Sequence, residues 1–475
     1  MIEHKAVPEE HTIAALLAPD ILDLLETEPG SIAAETEEVH PADLADVAGR
    51  LPHSQIPLFL ASLPPERAAA TLEYLAEELR TELLEAMSPE QAALLIAAMT
   101  PDDRADTLDE IDEEHAEDIV EAMPEKARAE TEKLLEYASD TAGGLMTTEF
   151  VSVPETDTVE VALRNVREMA RAGRREAMNT IYSTDSTGRL RGVLSLRELL
   201  AAPEGATIAD VAWTEVRHVH PQSDREEVAR LTQMYDLVAV PVIDLDEQLL
   251  GVVTVDDVID AIQEEQTEDV QKLGGMEALD EPYMQMGIVG MLKKRAGWLS
   301  VLMLSEMFTT SALQYFDLEL QKLPVLTLFI PLVMSSGGNS GSQATSLVTR
   351  AMALKEVELK DWWRVAMREL PTGLTLGAIL GVIGFIRVVV WQNAGLYDYG
   401  RGGVPYMLVA LNTLFSLIGI VTFGSMAGSM LPFVLKRLGF DPASSSAPFV
   451  ATLVDVTGLI IYFTVALVVL GKFMS

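Results

Sequence analysis

Apolar residues recur at two different spacings along this chain before they merge into long unbroken runs. From Val39 an apolar residue returns every twelve positions: Val39, Leu51, Leu63, Leu75, Met87, Met99, Ile111 and Met123. Several units continue alike, as in Met87-Ser88-Pro89-Glu90, Met99-Thr100-Pro101-Asp102 and Met123-Pro124-Glu125. Ser88 and Thr100 are suited to cap a helix whose first residue is the following proline. Each unit therefore predicts a turn and a helix of about two turns, such as Pro89 to Ala98. Helices that short are unstable alone, so the units are expected to stack into a small α-solenoid.

Between 147 and 262 the period changes. Val151–Val153, Asn179–Ser183 and Arg191–Leu194 read as strands, with helices at Thr158–Ala172 and Leu196–Ala201. The order then returns: Val216–Val219, Val238–Ile243 and Leu249–Val253 as strands, Arg225–Tyr235 and Val255–Gln263 as helices. Gly192-Val193-Leu194-Ser195-Leu196-Arg197-Glu198 matches Gly251-Val252-Val253-Thr254-Val255-Asp256-Asp257. This middle region is a tandem α/β repeat.

Beyond Lys293-Lys294-Arg295 charges become rare; 323–349 and 402–435 contain none. About 20 such residues suffice to cross the hydrocarbon of a bilayer. Five spans are predicted, at 296–316, 323–349, 370–393, 403–435 and 447–471, the third interrupted by Arg387. Basic residues gather before span one, between spans two and three (Arg350, Lys355, Lys360, Arg364, Arg368) and after span four (Lys436, Arg437). The positive-inside rule puts these segments in the cytoplasm and the C-terminus outside. Met1 to Glu10 is polar and acidic, so no secretory signal is expected there.

Charge sharpens the division. The 475 residues carry a net charge of −39, yet residues 1–280 hold 62 acidic against 20 basic side chains and 281–475 hold 11 against 14. Such an acidic body excludes a nucleic-acid binder, which has to meet phosphates with base. The chain has no cysteine, which excludes disulfides, thiol catalysis and cysteine-ligated metal.

Two acids fall inside the apolar runs. Asp455 has thirteen uncharged residues before it and sixteen after, and Glu306 lies within span one. A carboxylate at that depth is costly unless it faces water, a partner or an ion. Asp455 is read as part of a permeation path, the alternative being a structural bond to a neighbouring helix; for Glu306 both readings stand. Ser335-Ser336-Gly337-Gly338-Asn339-Ser340-Gly341-Ser342-Gln343 interrupts span two. It either loosens the helix to offer oxygens to a watery cavity or lets helices pack closely. In the solenoid, acids are densest from Asp102 to Asp118. They form either a solvated face or a weak surface for hard divalent cations, which favour carboxylate oxygens.

The tandem repeat resembles a pair of CBS domains. Its second copy fits that family's nucleotide motif, with Thr254 and Asp257 in the places of the hydroxyl and carboxylate that bond a ribose; the first copy departs, with Glu198 as the acid. ATP at the CBS pair is therefore one expectation, and a purely structural pair the other. The whole chain resembles the MgtE family of Mg2+ channels. The matching stretches are Thr141-Ala142-Gly143-Gly144-Leu145-Met146, Thr267-Glu268-Asp269-Val270-Gln271-Lys272-Leu273-Gly274, Gly337-Gly338-Asn339, Leu431-Pro432-Phe433, Arg437-Leu438-Gly439 and Asp455-Val456-Thr457-Gly458.

The resemblance implies a multidomain membrane protein. It consists of an N-terminal segment (1–38), an acidic α-helical repeat domain (39–138), two α/β CBS domains (139–204 and 205–263), a plug helix (264–292) and an all-α transmembrane domain of five helices (293–475). It implies a homodimer in a bacterial-type plasma membrane, with its N-terminal domains cytoplasmic and one pore on the two-fold axis. The pore acid falls on Asp455, with Asn339 and Gly458 in the neighbouring motifs. Mg2+ is both substrate and regulator. Cytosolic Mg2+ would bridge Asp256, Asp257, Asp260, Glu264, Glu265, Glu268 and Asp269 to acids opposite, Asp102 and Asp106 among them, and close the pore. Glu264 with Glu268, and Glu265 with Asp269, share helical faces where like charges repel until a cation arrives. Rival readings are a transporter of Co2+, Mn2+ or Ca2+, a CBS-gated anion channel, and a membrane-anchored ion or nucleotide sensor. The anion channel fits an acidic pore poorly. No nucleophile or histidine cluster suggests an enzyme.

Overall fold

The computed structural model describes residues 13–171, 179–279, 283–284, 286–400 and 403–474. The opening of the 1–38 segment and Ala172 at the end of a predicted helix lie outside the described residues. The chain divides into two units, 1–263 and 264–475.

The first unit begins with ten helices: α1 (Ile13–Thr27), α2 (Ile32–Glu35), α3 (Pro41–Ala48), α4 (Ile56–Ala61), α5 (Pro65–Glu73), α6 (Glu77–Ala86), α7 (Pro89–Ile96), α8 (Pro101–Asp109), α9 (Glu113–Ala122) and α10 (Glu125–Leu134). From α5 onward they start twelve residues apart. The cause is local. Proline opens α3, α5, α7 and α8, where its fixed φ suits the first helical position; Ser88 and Gln91 form a capping box on α7. The periodic Leu51, Leu63, Leu75, Met99, Ile111 and Met123 are buried in one core. Helices α1, α3, α5, α7 and α9 stack successively, so each short helix is stabilised by its neighbours. The repeat begins at Val39 in the sequence, yet Ala14, Ala18 and Ile21 of α1 are buried in the same core.

Next come β1 (Val151–Pro154), α11 (Val159–Arg171), β2 (Thr180–Thr184), β3 (Leu190–Ser195), α12 (Leu196–Ala201) and α13 (Ile208–Val211). β1 pairs parallel with β2, and β2 antiparallel with β3. The second copy holds α14 (Arg225–Tyr235), β4 (Ala239–Ile243), β5 (Leu249–Thr254) and α15 (Val255–Leu273), with β4 and β5 antiparallel. The strand expected at Val216–Val219 is reduced to one parallel bridge, Val219 to Val242. Its side chains bond locally instead: Arg217 lies over the Tyr235 ring at 4.9 Å, and His218 Nδ1 stands 3.2 Å from the Val216 carbonyl. Thr147 supplies a further edge, exchanging backbone bonds of 2.9 and 3.0 Å with Val252. Tyr182, Ala239 and Val252 form a small core joining the two copies. Ala105 of α8 and Leu134 of α10 are buried with Val228, Val240, Val253 and Val258, which fixes the helical repeat against the second copy.

The second unit takes in the end of α15, then α16 (Ile288–Tyr315), α17 (Asp317–Lys322), α18 (Ile330–Ala353), α19 (Trp362–Asn393), α20 (Tyr406–Arg437) and α21 (Ala447–Met474). Three described helical segments are long and apolar enough to cross a membrane: Leu359–Asn393, Tyr406–Arg437 and Ala447–Phe473. α16 and α18 are 28 and 24 residues long but carry charge or many small polar residues. α19 begins eight residues before the predicted span and runs through Pro371.

The reading of a loosened span two is corrected. α18 is continuous from Ile330 to Ala353, and its glycines serve close packing. A Cβ on Gly428 would overlap the Gly341 carbonyl, and one on Gly424 the Gly337 carbonyl. Ser340 and Ser425 share a 2.7 Å hydroxyl bond, and Thr345 Oγ1 donates to the Gly428 carbonyl at 2.8 Å. Gly373, Gly377, Gly381 and Gly384 of α19 meet α20 in the same manner. In hydrocarbon, where burial of apolar surface does not drive association, such contact through small residues holds helices together.

Candidate functional site

The first turn of α8 carries Asp102 and Asp103, and the first turn of α15 carries Asp256 and Asp257. Helix N-termini favour acids there; the tertiary packing then brings the two turns together. Asp102 is 5% exposed, and its Oδ1 has no hydrogen-bond partner. Glu73, the last residue of α5, joins them. Burial, then Asp103 and Asp102, push Glu73 up to about 8. Burial and the Asp102 charge push Asp257 up to about 8. Burial and Asp103 push Asp102 up to about 6. Burial also raises Asp103. The Tyr74 phenol is raised by burial, by Glu73 and Asp103, and by Asp256 and Asp260 across the contact.

Nearby base offsets the cluster only in part: the Arg80 charge opposes the rise of Glu73 and Asp103 but does not cancel it. Arg80 pairs with Glu110, at 2.8 Å through Nε, and donates to the Glu73 carbonyl at 2.5 Å. Arg104 donates to the carbonyls of Met99 and Ala127 at 3.1 and 3.2 Å. Carboxylates gathered under partial burial take up protons or a cation. Among the described residues no three acids or histidines form a ready-made cage, so a cation would draw the two faces together on binding.

The predicted ligands divide into groups. Asp102, Asp256, Asp257 and Asp260 fall in this cluster. Asp106 does not: it is exposed beside a cavity of about 470 Å³ with Asp109, Glu136 and Gly144. Glu264, Glu265, Glu268 and Asp269 lie farther along α15, in the second unit. There Lys272 Nζ donates to Asp441 at 2.7 Å and pairs with Glu268. Burial opposes the ammonium, but the bonds to Asp441 and Glu268 hold Lys272 above its ordinary value. Burial, then Asp441 and Glu265, raise Asp269.

Sequence reasoning passed over Glu73 and Asp441 as functional residues and took Asp103 only as one acid of the dense stretch from Asp102 to Asp118. Asp103 was legible as the second acid of a helix N-terminus, and Asp441 as an acid just past Lys436-Arg437. Nothing in the sequence marks Glu73, whose place comes from the solenoid stacking alone.

The two CBS copies differ at the motif. Glu198 accepts from the Ser195 amide at 2.8 Å and from Trp213 Nε1 at 2.9 Å, so both oxygens serve structure. Thr254 Oγ1 donates to Asp257 Oδ2 at 2.5 Å. That pair is half-buried, and its carboxylate is the one that faces Asp102.

In the second unit Asp455 is half-buried on α21. The adjacent Val454 packs on Gly337 of α18, which also meets Ile420 of α20. Asn339 is exposed on α18, its Nδ2 3.4 Å from Ser335 Oγ. Gly458, one turn past Asp455 on α21, is buried, and a Cβ there would meet Ile420 at 3.4 Å.

Comparison with known proteins agrees with this architecture region by region. Residues 330–465 match a family described as divalent cation transporter, 39–140 the MgtE intracellular N domain, and 142–205 and 208–264 the CBS domain. The magnesium transporter MgtE of Thermus thermophilus is 40% identical over 433 residues, 90% of this chain and 93% of that one. The protein of the same name from Enterococcus faecalis is 36% identical over 71% of each chain. A crystal structure of the soluble part of a magnesium transporter covers 53% of this chain and 99% of its own, at 30% identity and a TM-score of 0.50. Fold and sequence define a multidomain membrane protein of the divalent cation transporter class, not an enzyme. Within that class the chain belongs to the MgtE family of magnesium transporters.

Proposed function

We propose that this protein carries Mg2+ across the membrane through a pore in which Asp455 meets the ion, and that Mg2+ on the acidic cytosolic face closes it. One observation carries the transport reading: Asp455 stands half-buried in an otherwise apolar stretch of α21, beside the glycine-packed α18 and α20. Mg2+ sheds water reluctantly and takes six oxygens at about 2.1 Å. Two Asp455 carboxylates facing across a dimer axis would hold the hydrated ion and reject anions. The basic loops put the acidic unit in the cytoplasm, and a negative-inside potential favours entry of a divalent ion by roughly 4.6 kcal/mol per 100 mV.

Closure follows from the acidic cluster. Asp102, Asp103 and Glu73 on one side and Asp257 on the other are held in raised protonation by burial and mutual repulsion, and Asp256 and Asp260 add their carboxylates on the side of Asp257. The unpartnered Oδ1 of Asp102 fits a hard cation. At neutral pH Mg2+ would replace the missing protons and stabilise the compact state. Glu264, Glu265, Glu268 and Asp269, with Asp441, offer a second group on the remainder of α15. ATP would be held at the second CBS copy by Thr254 and Asp257, the only copy whose motif pair is not absorbed by a capping box and a tryptophan. The test of the pore is Mg2+ influx into proteoliposomes, wild type against Asp455→Ala. Influx that persists in the folded variant removes Asp455 from the path.

A further inference from the structure

Glu306 lies midway along α16, and the packing of α16 on α21 fixes its depth. Near the start of both helices, Trp298 Nε1 donates to Ser446 Oγ at 3.0 Å, and its ring lies 6.0 Å from that of Phe449. Near the far end, Phe316 stacks on Phe463 with ring centroids 4.5 Å apart. The helices therefore run parallel with their register pinned twice. Glu306 stands eight residues into the eighteen that separate Trp298 from Phe316; Asp455 stands six into the fourteen that separate Phe449 from Phe463. The two acids share a level, and they are close enough for their charges to interact.

A polar stripe continues from Glu306 along one face of α16. Thr310 and Gln314 follow at helical spacing, and they line an open cavity of about 600 Å³ together with Asp317 at the start of α17, Thr327 of the following segment and four apolar side chains. One turn past Glu306, Thr309 is 3% exposed and its Oγ1 has no partner. An exposed carboxylate at mid-helix depth is costly against lipid, and an unpartnered hydroxyl beside it calls for water or an ion.

We propose that Glu306 is a second ion-handling acid of the transport path, standing level with Asp455 at the end of the polar stripe that lines this cavity. This rests on the reading that Asp455 lies in the pore. A divalent ion would meet Glu306 as it approaches Asp455, and the added negative charge would raise occupancy by Mg2+ over monovalent ions.

The test is Mg2+ influx into proteoliposomes as external Mg2+ is varied, for wild type, Glu306→Gln, Glu306→Asp and Asp455→Ala. The expected result for Glu306→Gln is a half-saturating Mg2+ raised about tenfold, with maximal flux little changed and the Asp variant near wild type. A structural role would instead lower maximal flux and leave half-saturation in place. An unchanged half-saturation in folded Glu306→Gln, with flux abolished in Asp455→Ala, overturns the proposal and leaves the pore standing. Flux retained in Asp455→Ala overturns both. If Glu306→Gln does not assemble, Glu306→Ala decides in its place: half-saturation raised about tenfold supports the role, and an unmoved value overturns it.

Discussion

Asp102 occupies a position that the repeat fills with acid again and again. Glu66, Glu78, Glu90 and Glu114 hold the same place in their units and are all exposed; Asp102 alone is buried. The sequence shows why an acid stands there, at a helix N-terminus, but not which copy is pressed against another domain. That depends on Ala105 and Leu134 sealing the second CBS core, a long-range contact without a local signature. Asp102→Asn keeps the shape and removes the charge. In EDTA at pH 7.5 it should stabilise the protein by about 2 kcal/mol, read as a higher unfolding temperature, and the further gain on adding Mg2+ should shrink.

The same cluster sets a pH dependence. Glu73 and Asp257 are raised to about 8 and Asp102 to about 6. The folded state thus binds protons that the unfolded chain, with ordinary carboxylates, has released. The stability these groups confer is full below about pH 4 and is lost as pH rises through about 6 to 8. Without divalent cations the unfolding temperature should fall between pH 5.5 and 8.5. With millimolar Mg2+ it should stay level, because the cation takes the protons' place. A fall of equal size in both conditions would remove the cation from the cluster.

At the scale of elements, the twelve-residue spacing, the two α/β copies and the apolar runs were legible because each follows a local period. Three features were not. The strand at Val216–Val219 dissolved because Arg217 and His218 bond to nearby groups. α1 joined the solenoid core through three small or branched residues too sparse to read as a repeat. Span two kept its helix because its glycines face backbone from α20, a partner eighty residues away in the chain. This seam makes a sharp prediction. Gly428→Ala would force α18 and α20 apart and cost about 1–3 kcal/mol, seen as a lower melting temperature in detergent. Gly471→Ala, with open space around it, should be neutral. Equal melting of the two variants would argue against the seam.

Over the whole molecule, two opposite electrostatic conditions share one chain. Residues 1–280 carry nearly all the negative charge, and such charge opposes a compact state unless protons or cations offset it. The membrane part is nearly neutral; Asp455 and Glu306 lie well inside its long helices, and Glu369 stands beside Arg368 in α19. On the proposed reading, a cation entering past Asp455 would raise the concentration that the acidic part meets, making the transported ion and the closing ion the same. The family membership was legible from motifs in order along the chain; the regulatory ligands were not, because acids outnumber sites and only folding selects among them.

The most direct test of this account is Mg2+ influx through the reconstituted full-length protein, with the medium bathing its cytosolic part set at low and then at millimolar Mg2+. Wild type is compared with the double variant Asp102→Asn, Asp257→Asn. The account predicts that wild type shuts at millimolar Mg2+ and that the double variant responds far less to it. Equal closure of the two by cytosolic Mg2+ would contradict it.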